Sequence, residues 1–123
     1  MKVLLSIKPK YAEKILKGEK LYEFRRAIFK SSAVTKVIIY ASSPISKVIG
    51  EFEIDYVLSL GVDELWNKTM EHSGIDKEFY DSYFEGKVIG HAIKVKRAQR
   101  YLKFRELKEY DIKHPPQSFA YLS

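Results

Sequence analysis

The chain has no cysteine, which excludes disulfide frameworks, thiolate metal sites and cysteine nucleophiles. It holds one tryptophan, two methionines and only three side-chain amides, Asn67, Gln99 and Gln117. Long apolar runs are missing too. The opening Met1-Lys2-Val3-Leu4-Leu5-Ser6-Ile7-Lys8 is bounded by lysines and is too brief for a signal-peptide core or a membrane span. A cytoplasmic location without membrane contact is the resulting expectation. The six glycines are isolated from one another, so no glycine-rich phosphate loop is present, and no Ser-His-Asp pattern accompanies them. His72, His91 and His114 are too scattered to make a metal site by local spacing. Neither a metal nor a cofactor is expected.

What is present in quantity is charge, and its distribution is uneven. The chain carries a net +6 over 123 residues. Residues 1–36 hold ten basic and three acidic side chains, residues 50–85 two basic and ten acidic, and residues 86–123 nine basic and three acidic. A chain with basic ends and an acidic middle can fold with one positive face that attracts polyanions. It can equally neutralise itself by laying its acidic elements against its basic strands. No repeat, linker or low-complexity tract interrupts it, so residues 1–123 read as one domain, long enough to bury a sizeable core.

Periodicity predicts mostly strands. Strands are expected at 2–6, 21–25, 36–40, 47–58, 87–101 with a bend near Gln99, and 118–122. Tyr11, Ala12, Ile15 and Leu16 recur at helical spacing over 9–17, with Pro9 suited to the first turn and Gly18 to the left-handed position after the last. Two further helices are expected at 61–71, opened by the acids Asp63 and Glu64, and at 76–84, with a short helical segment over 104–110. In the helix at 76–84, Phe79, Tyr80, Tyr83 and Phe84 form a wide aromatic face expected to pack in the core. The fold class is α+β, with an N-terminal helix and two helices inserted between strands.

The densest chemistry lies in Gly18-Glu19-Lys20-Leu21-Tyr22-Glu23-Phe24-Arg25-Arg26, where a helix stop, a strand and five charged groups share nine residues. The strand period of two places Leu21, Glu23 and Arg25 on one face and Tyr22, Phe24 and Arg26 on the other. Lys20 and Arg25 are residues that clamp a phosphate or polarise a carbonyl, and Glu23 one that accepts from a base amino group or takes a proton. Arg26 extends the basic rim. The competing reading is a structural Glu23–Arg25 ion pair. Because neither Lys20 nor Arg25 sits on an apolar helix face, replacing either is expected to weaken binding with little loss of stability. A second surface, Lys94, Lys96, Arg97, Arg100, Lys103 and Arg105 interleaved with Tyr101 and Phe104, is the candidate track for a nucleic-acid backbone. Its competing reading is an edge strand kept soluble by lysine.

The pattern Gly18-x-Lys20-x-x-Glu23-x-Arg25 after a strand and a helix resembles the start of the ASCH domain family. Tyr40-Ala41-Ser42-Ser43-Pro44 followed by Val48-Ile49-Gly50-Glu51-Phe52 resembles the family's next strands, and Pro115-Pro116-Gln117-Ser118-Phe119 its last, so the resemblance spans almost the whole chain. It implies a PUA-like mixed or antiparallel β-barrel with a basic cleft lined by Lys20, Glu23 and Arg25. It implies RNA or a nucleotide as partner, and a place in RNA metabolism or translation. Hydrolysis on the same cleft, as a ribonuclease or a modified-nucleoside amidohydrolase, and a small-anion binding module remain open beside it. For phosphodiester cleavage the counterparts implied are Lys20, Tyr40 and Ser118, with Glu23 as a further catalytic candidate. The amidohydrolases of the family use a threonine about three residues after the lysine; here Lys20-Leu21-Tyr22-Glu23 offers no threonine or serine as nucleophile.

Overall fold

A computed structural model describes residues 1–122; Ser123, the last position of the expected domain, lies outside them. Six strands form one sheet. They are β1 (Lys2–Ile7), β2 (Tyr22–Arg25), β3 (Lys36–Ala41), β4 (Lys47–Gly61), β5 (Ile89–Arg105) and β6 (Ala120–Leu122). Helix α1 (Pro9–Leu16) joins β1 to β2, and α2 (Val62–Thr69) and α3 (Lys77–Tyr83) are inserted between β4 and β5. This is the expected α+β arrangement of one early helix and two inserted ones.

The strand order is β2-β5-β4-β3-β1-β6, with β1 and β3 parallel and the other pairs antiparallel. A barrel would require the terminal strands β2 and β6 to pair, and among the described residues they do not. The expected closed barrel is therefore corrected to an open, mixed six-stranded sheet. The physical reason is length. β2 has four residues and β6 three, so each terminal strand offers only a short edge with which to meet the other. The long β4–β5 ladder is broken by register shifts between Val48 and Gly50, and again between Glu53 and Tyr56, which let the sheet bend.

Alternation along β1 divides the interior. Val3, Leu5 and Ile7 pack with Ala12 and Ile15 of α1 and with Val37, Ile39, Phe52, Ile93 and Val95, while Leu4 points to the other face among Ile38, Tyr40, Val48 and Tyr101. A third cluster joins Tyr22, Phe24 and Ala92 of the sheet to Leu65 of α2 and to Tyr80 and Phe84 on and just after α3. Asp76 caps α3 by accepting from the Phe79 amide at 2.7 Å. Gly18 takes φ +79° after α1, the left-handed stop its position predicts. The acids of β4 lie against basic neighbours: Glu51 on Lys36 at 2.7 Å, Glu53 on Arg97 at 3.6 Å and Asp55 on Lys94 at 3.8 Å. Three of the ten acids of residues 50–85 are thus paired within the sheet. No helix among the described residues is long and apolar enough to cross a membrane.

Candidate functional site

A cleft of about 240 Å³ opens where the end of β1, the start of α1, β2 and α3 converge. Each wall has a local cause. Ser6 and Ile7 end β1, Lys8 and Tyr11 begin α1, Lys20, Glu23, Phe24 and Arg25 come from β2 and its approach, and Ile75, Phe79 and Tyr83 from α3 and the turn before it. Gln117, in the segment leading to β6, closes one side. The structure thus brings Lys20, Glu23 and Arg25 together.

Lys20 is the least expected of the three in its burial. It is 2% exposed, its Nζ donates to the Ser73 carbonyl at 2.6 Å, and its ammonium lies 4.7 Å from the Phe24 ring centre and 5.6 Å from that of Tyr11. Burial lowers its pKa to about 8, against the opposing pull of the Glu23 carboxylate. Gly74 lets the lid over it close. A Cβ there would stand 2.5 Å from Cβ and Cγ of Lys20, and Gly74 has φ +71°. Lys14 donates to the Gly74 carbonyl at 3.0 Å and holds the same turn from outside.

Glu23 and Arg25 share a strand face, as the period of two requires, and are both nearly buried, at 6% and 9% exposure. Arg25 Nη1 donates to Glu23 Oε2 at 3.4 Å and to the Ser6 carbonyl at 3.3 Å, and Nη2 donates to the Ser118 carbonyl at 2.5 Å. Ser6 Oγ adds a bond to the Pro116 carbonyl at 2.9 Å. Arg25 therefore ties the edge strand β2 to β1 and to the segment before β6, across the gap where a barrel would have closed. The expectation that replacing Arg25 costs little stability does not fit this burial and bonding, and Lys20 is buried as well. Helix faces are not the only places where a charged side chain becomes structural.

Other expected site residues lie elsewhere. Arg26 is outside the cleft, donating to the Tyr83 and Glu85 carbonyls at 2.8 and 2.9 Å, where a cation complements the C-terminal end of α3. Tyr40 is buried with Leu4 and Val48 and lines a separate groove with Ser46, Glu106 and Lys108. Ser118 meets the site through its backbone carbonyl, the acceptor for Arg25.

The basic stretch of β5 is largely engaged. Beyond the pairs of Lys94 and Arg97 with β4, the Arg100 guanidinium forks onto Glu13 of α1. Tyr101 is buried, donates to Glu51 at 2.9 Å and is covered by the Arg105 guanidinium 3.9 Å from its ring centre. Lys96 and Lys103 stay exposed and make no ion pair among the described residues. Of the two rings interleaved with these cations, Tyr101 is thus a core ring, whereas Phe104 is exposed.

What sequence reasoning missed is the aromatic wall. Of the four rings expected in the core, Tyr80 and Phe84 are there, whereas Phe79 and Tyr83 line the cleft with Tyr11. Phe79 lies 5.2 Å from Tyr11 and 6.2 Å from Tyr83 between ring centres, and Tyr83 donates to the Phe24 carbonyl at 3.1 Å. Burial raises the Tyr83 pKa. The signal was available: an aromatic face wider than one buried stripe presents rings to two neighbours.

Comparison with known proteins bears on the same region. The sequence model of the ASCH domain matches residues 5–99, which include Lys20, Glu23 and Arg25. An ASCH domain-containing ribonuclease of Zymomonas mobilis is 30% identical over 122 residues, covering 97% of this chain and 82% of the relative. The large ribosomal subunit protein uL22 of Ureaplasma parvum is 32% identical over 123 residues; this chain spans only 39% of that relative's length. The crystal structure of ASCH from Zymomonas mobilis superposes with a TM-score of 0.90 at 27% identity, over 99% of this chain and 87% of that one.

Proposed function

This chain belongs to the ASCH domain family, and from that premise we propose that it binds RNA, one unpaired nucleotide seated in the basic cleft and the flanking backbone on the exposed lysines around it. The observation that carries the reading is the pairing of an aromatic wall, Tyr11, Phe79 and Tyr83, with a charged floor of Lys20, Glu23 and Arg25 in one concavity. Rings receive an unstacked base whatever its sequence, and cations at the mouth meet phosphate. Lys8 lines that mouth, 5.2 Å from the Phe79 ring, and the exposed Lys10 lies 5.8 Å from the Tyr11 ring. The ribonuclease name of a relative with this fold supports RNA over an unrelated small anion. Residues 1–123 are taken as one ASCH unit although the family match ends at residue 99, because β6 pairs with β1 and Arg25 binds Ser118.

The test is binding of a labelled single-stranded oligoribonucleotide as salt is varied. Neutralising about three to five phosphates gives a slope of log affinity against log salt of about −2 to −4. A single-anion site would respond far less. No detectable binding at low salt would overturn the proposal.

A second reading, RNA cleavage, is favoured by one observation. The Lys20 amine, brought to about pKa 8 beside the Glu23 carboxylate, can exchange a proton near neutral pH. Incubating labelled RNA with the protein and with Lys20→Met distinguishes cleavage from binding: products with the first and none with the second support it, and intact RNA with both removes it.

A further inference from the structure

The two long strands do not advance together near the end of β5. From the Gly50–Arg100 pair to the Val48–Arg105 pair, β4 moves two positions and β5 moves five, so the surplus residues leave the ladder. Tyr101 turns inward to the buried cluster of Leu4 and Val48. Leu102 is fully exposed and Phe104 is 43% exposed, with the exposed Lys103 between them. The bulge is thus an apolar knob. Residues 96–105, which carry it, hold five basic side chains and no acidic one. Arg97 and Arg100 answer acids of β4 and α1, whereas Lys96 and Lys103 make no ion pair among the described residues.

The opposite charge gathers before the other end of β5. Residues 62–85, the insertion that carries α2 and α3, hold seven acidic and two basic side chains. All seven acids are exposed, and among the described residues only Asp81 has an ion-pair partner, Lys77 one turn away. Met70, just past α2, stands 51% exposed beside Glu71. Each end of the molecule is therefore an exposed apolar side chain set among charges of one sign, and the signs are opposite. The 17 residues of β5 keep the two ends apart, and no ion pair joins them among the described residues. One copy does not satisfy itself.

We propose that this chain self-associates head to tail, the Leu102–Phe104 knob of one copy docking on the acidic α2–α3 end of a second copy. Charge complementarity selects that pairing, because a knob-to-knob dimer would set Lys103 against Lys103. RNA satisfies the knob less well, since an exposed leucine is driven by apolar area and gains nothing from a phosphate. The inference goes beyond the cleft: none of Leu102, Phe104 and Met70 lines it. A contact between unlike patches leaves one patch unused at each end of a pair, so assembly continues past the dimer.

The experiment is sedimentation of the protein over a concentration series at low and at high salt. Wild type should climb from monomer past dimer at low salt and return to monomer at high salt, where the charges are screened. Leu102→Asp should melt like wild type, because the side chain is fully exposed, and should associate at least about tenfold more weakly, the loss expected of a central apolar anchor. The double variant Glu64→Lys/Glu71→Lys, its fold checked by melting, should also stay monomeric. An equal mixture of the two variants is the sharpest arm. The intact acidic end of the first meets the intact knob of the second, so association returns and stops at the dimer. A wild type that is monomeric at every concentration at low salt overturns the proposal, and if Leu102→Asp then weakens oligonucleotide binding, the knob belongs to the RNA surface. Association that survives Leu102→Asp overturns it too. A wild type that stops at the dimer, with no recovery in the mixture, replaces it with a symmetric contact. Should the double variant not fold, wild type and Leu102→Asp decide alone.

Discussion

Arg25→Ala should lower the unfolding free energy by about 3 to 5 kcal/mol, the range seen when one partner of a buried ion pair is removed. The loss comes from what the arginine leaves behind. Glu23 keeps a nearly buried carboxylate with no other ion-pair partner among the described residues, and the Ser6 and Ser118 carbonyls lose donors at 3.3 and 2.5 Å. Stranded buried acceptors are more expensive than the bonds themselves were worth. Because Arg25 bridges the gap in an open sheet, the damage should also be directional. Hydrogen exchange in β6 should quicken beyond what the global loss explains, since Arg25 and Ser6 together hold the segment that leads into it. Arg25→Lys keeps the charge and forfeits the fork, so it should fall between wild type and alanine. Urea denaturation of the three proteins measures this. An alanine variant within about 0.5 kcal/mol of wild type, the range of ordinary surface changes, would mean that the clasp contributes nothing.

Legibility in the sequence followed the range of the forces involved. Elements fixed by local chemistry were readable: Pro9 and Gly18 bracket α1, Asp76 opens α3, and the apolar run Val37-Ile38-Ile39 is a strand covered on both faces. The expected end of β4 at Leu58 fell three residues short of Gly61, because Ser59 and Leu60 gain their strand from the partner β5 and not from their own pattern. Closure was not readable. Whether six strands make a barrel depends on the two edges meeting, and the short β2 and β6 leave that gap to one arginine.

The candidate site divides the same way. That Glu23 and Arg25 share a face follows from a period of two and needs no tertiary knowledge. That Lys20 is sealed beneath Ser73 and Gly74 could not be seen, because the residues that cover it are more than fifty positions away and join it only through the packing of α3. The acidic and basic blocks concealed their own neutralisation for the same reason. Register alone sets Glu53 opposite Arg97 and leaves Lys96 and Lys103 without an ion-pair partner among the described residues.

The burial of Lys20 has a consequence that can be read without any ligand. In the unfolded chain its ammonium titrates near the ordinary 10.5, and in the folded chain near 8. Between those values the unfolded state binds more protons than the folded one, so stability rises with pH through this window. The penalty for burying the charge is fully present below pH 8 and disappears as the pH approaches 10.5. From pH 8 to pH 10 the wild-type chain should therefore gain about 2 kcal/mol relative to Lys20→Met, which has nothing to titrate there. The comparison between the two proteins is essential, because Tyr22 and Tyr80, both raised to about 12 chiefly by burial, pull the other way once the unfolded tyrosines ionise near 10. Both proteins carry those tyrosines, so the difference between them isolates the lysine. Parallel stability curves over pH 8 to 10 would mean that the ammonium is solvated in the folded state, and would remove Lys20 as a proton-exchanging group. If the curves diverge as expected, Lys20→Met should also lose RNA affinity. Methionine fills the hydrocarbon channel beneath Gly74 but carries no charge, so the loss reports the ammonium and not a collapsed cleft.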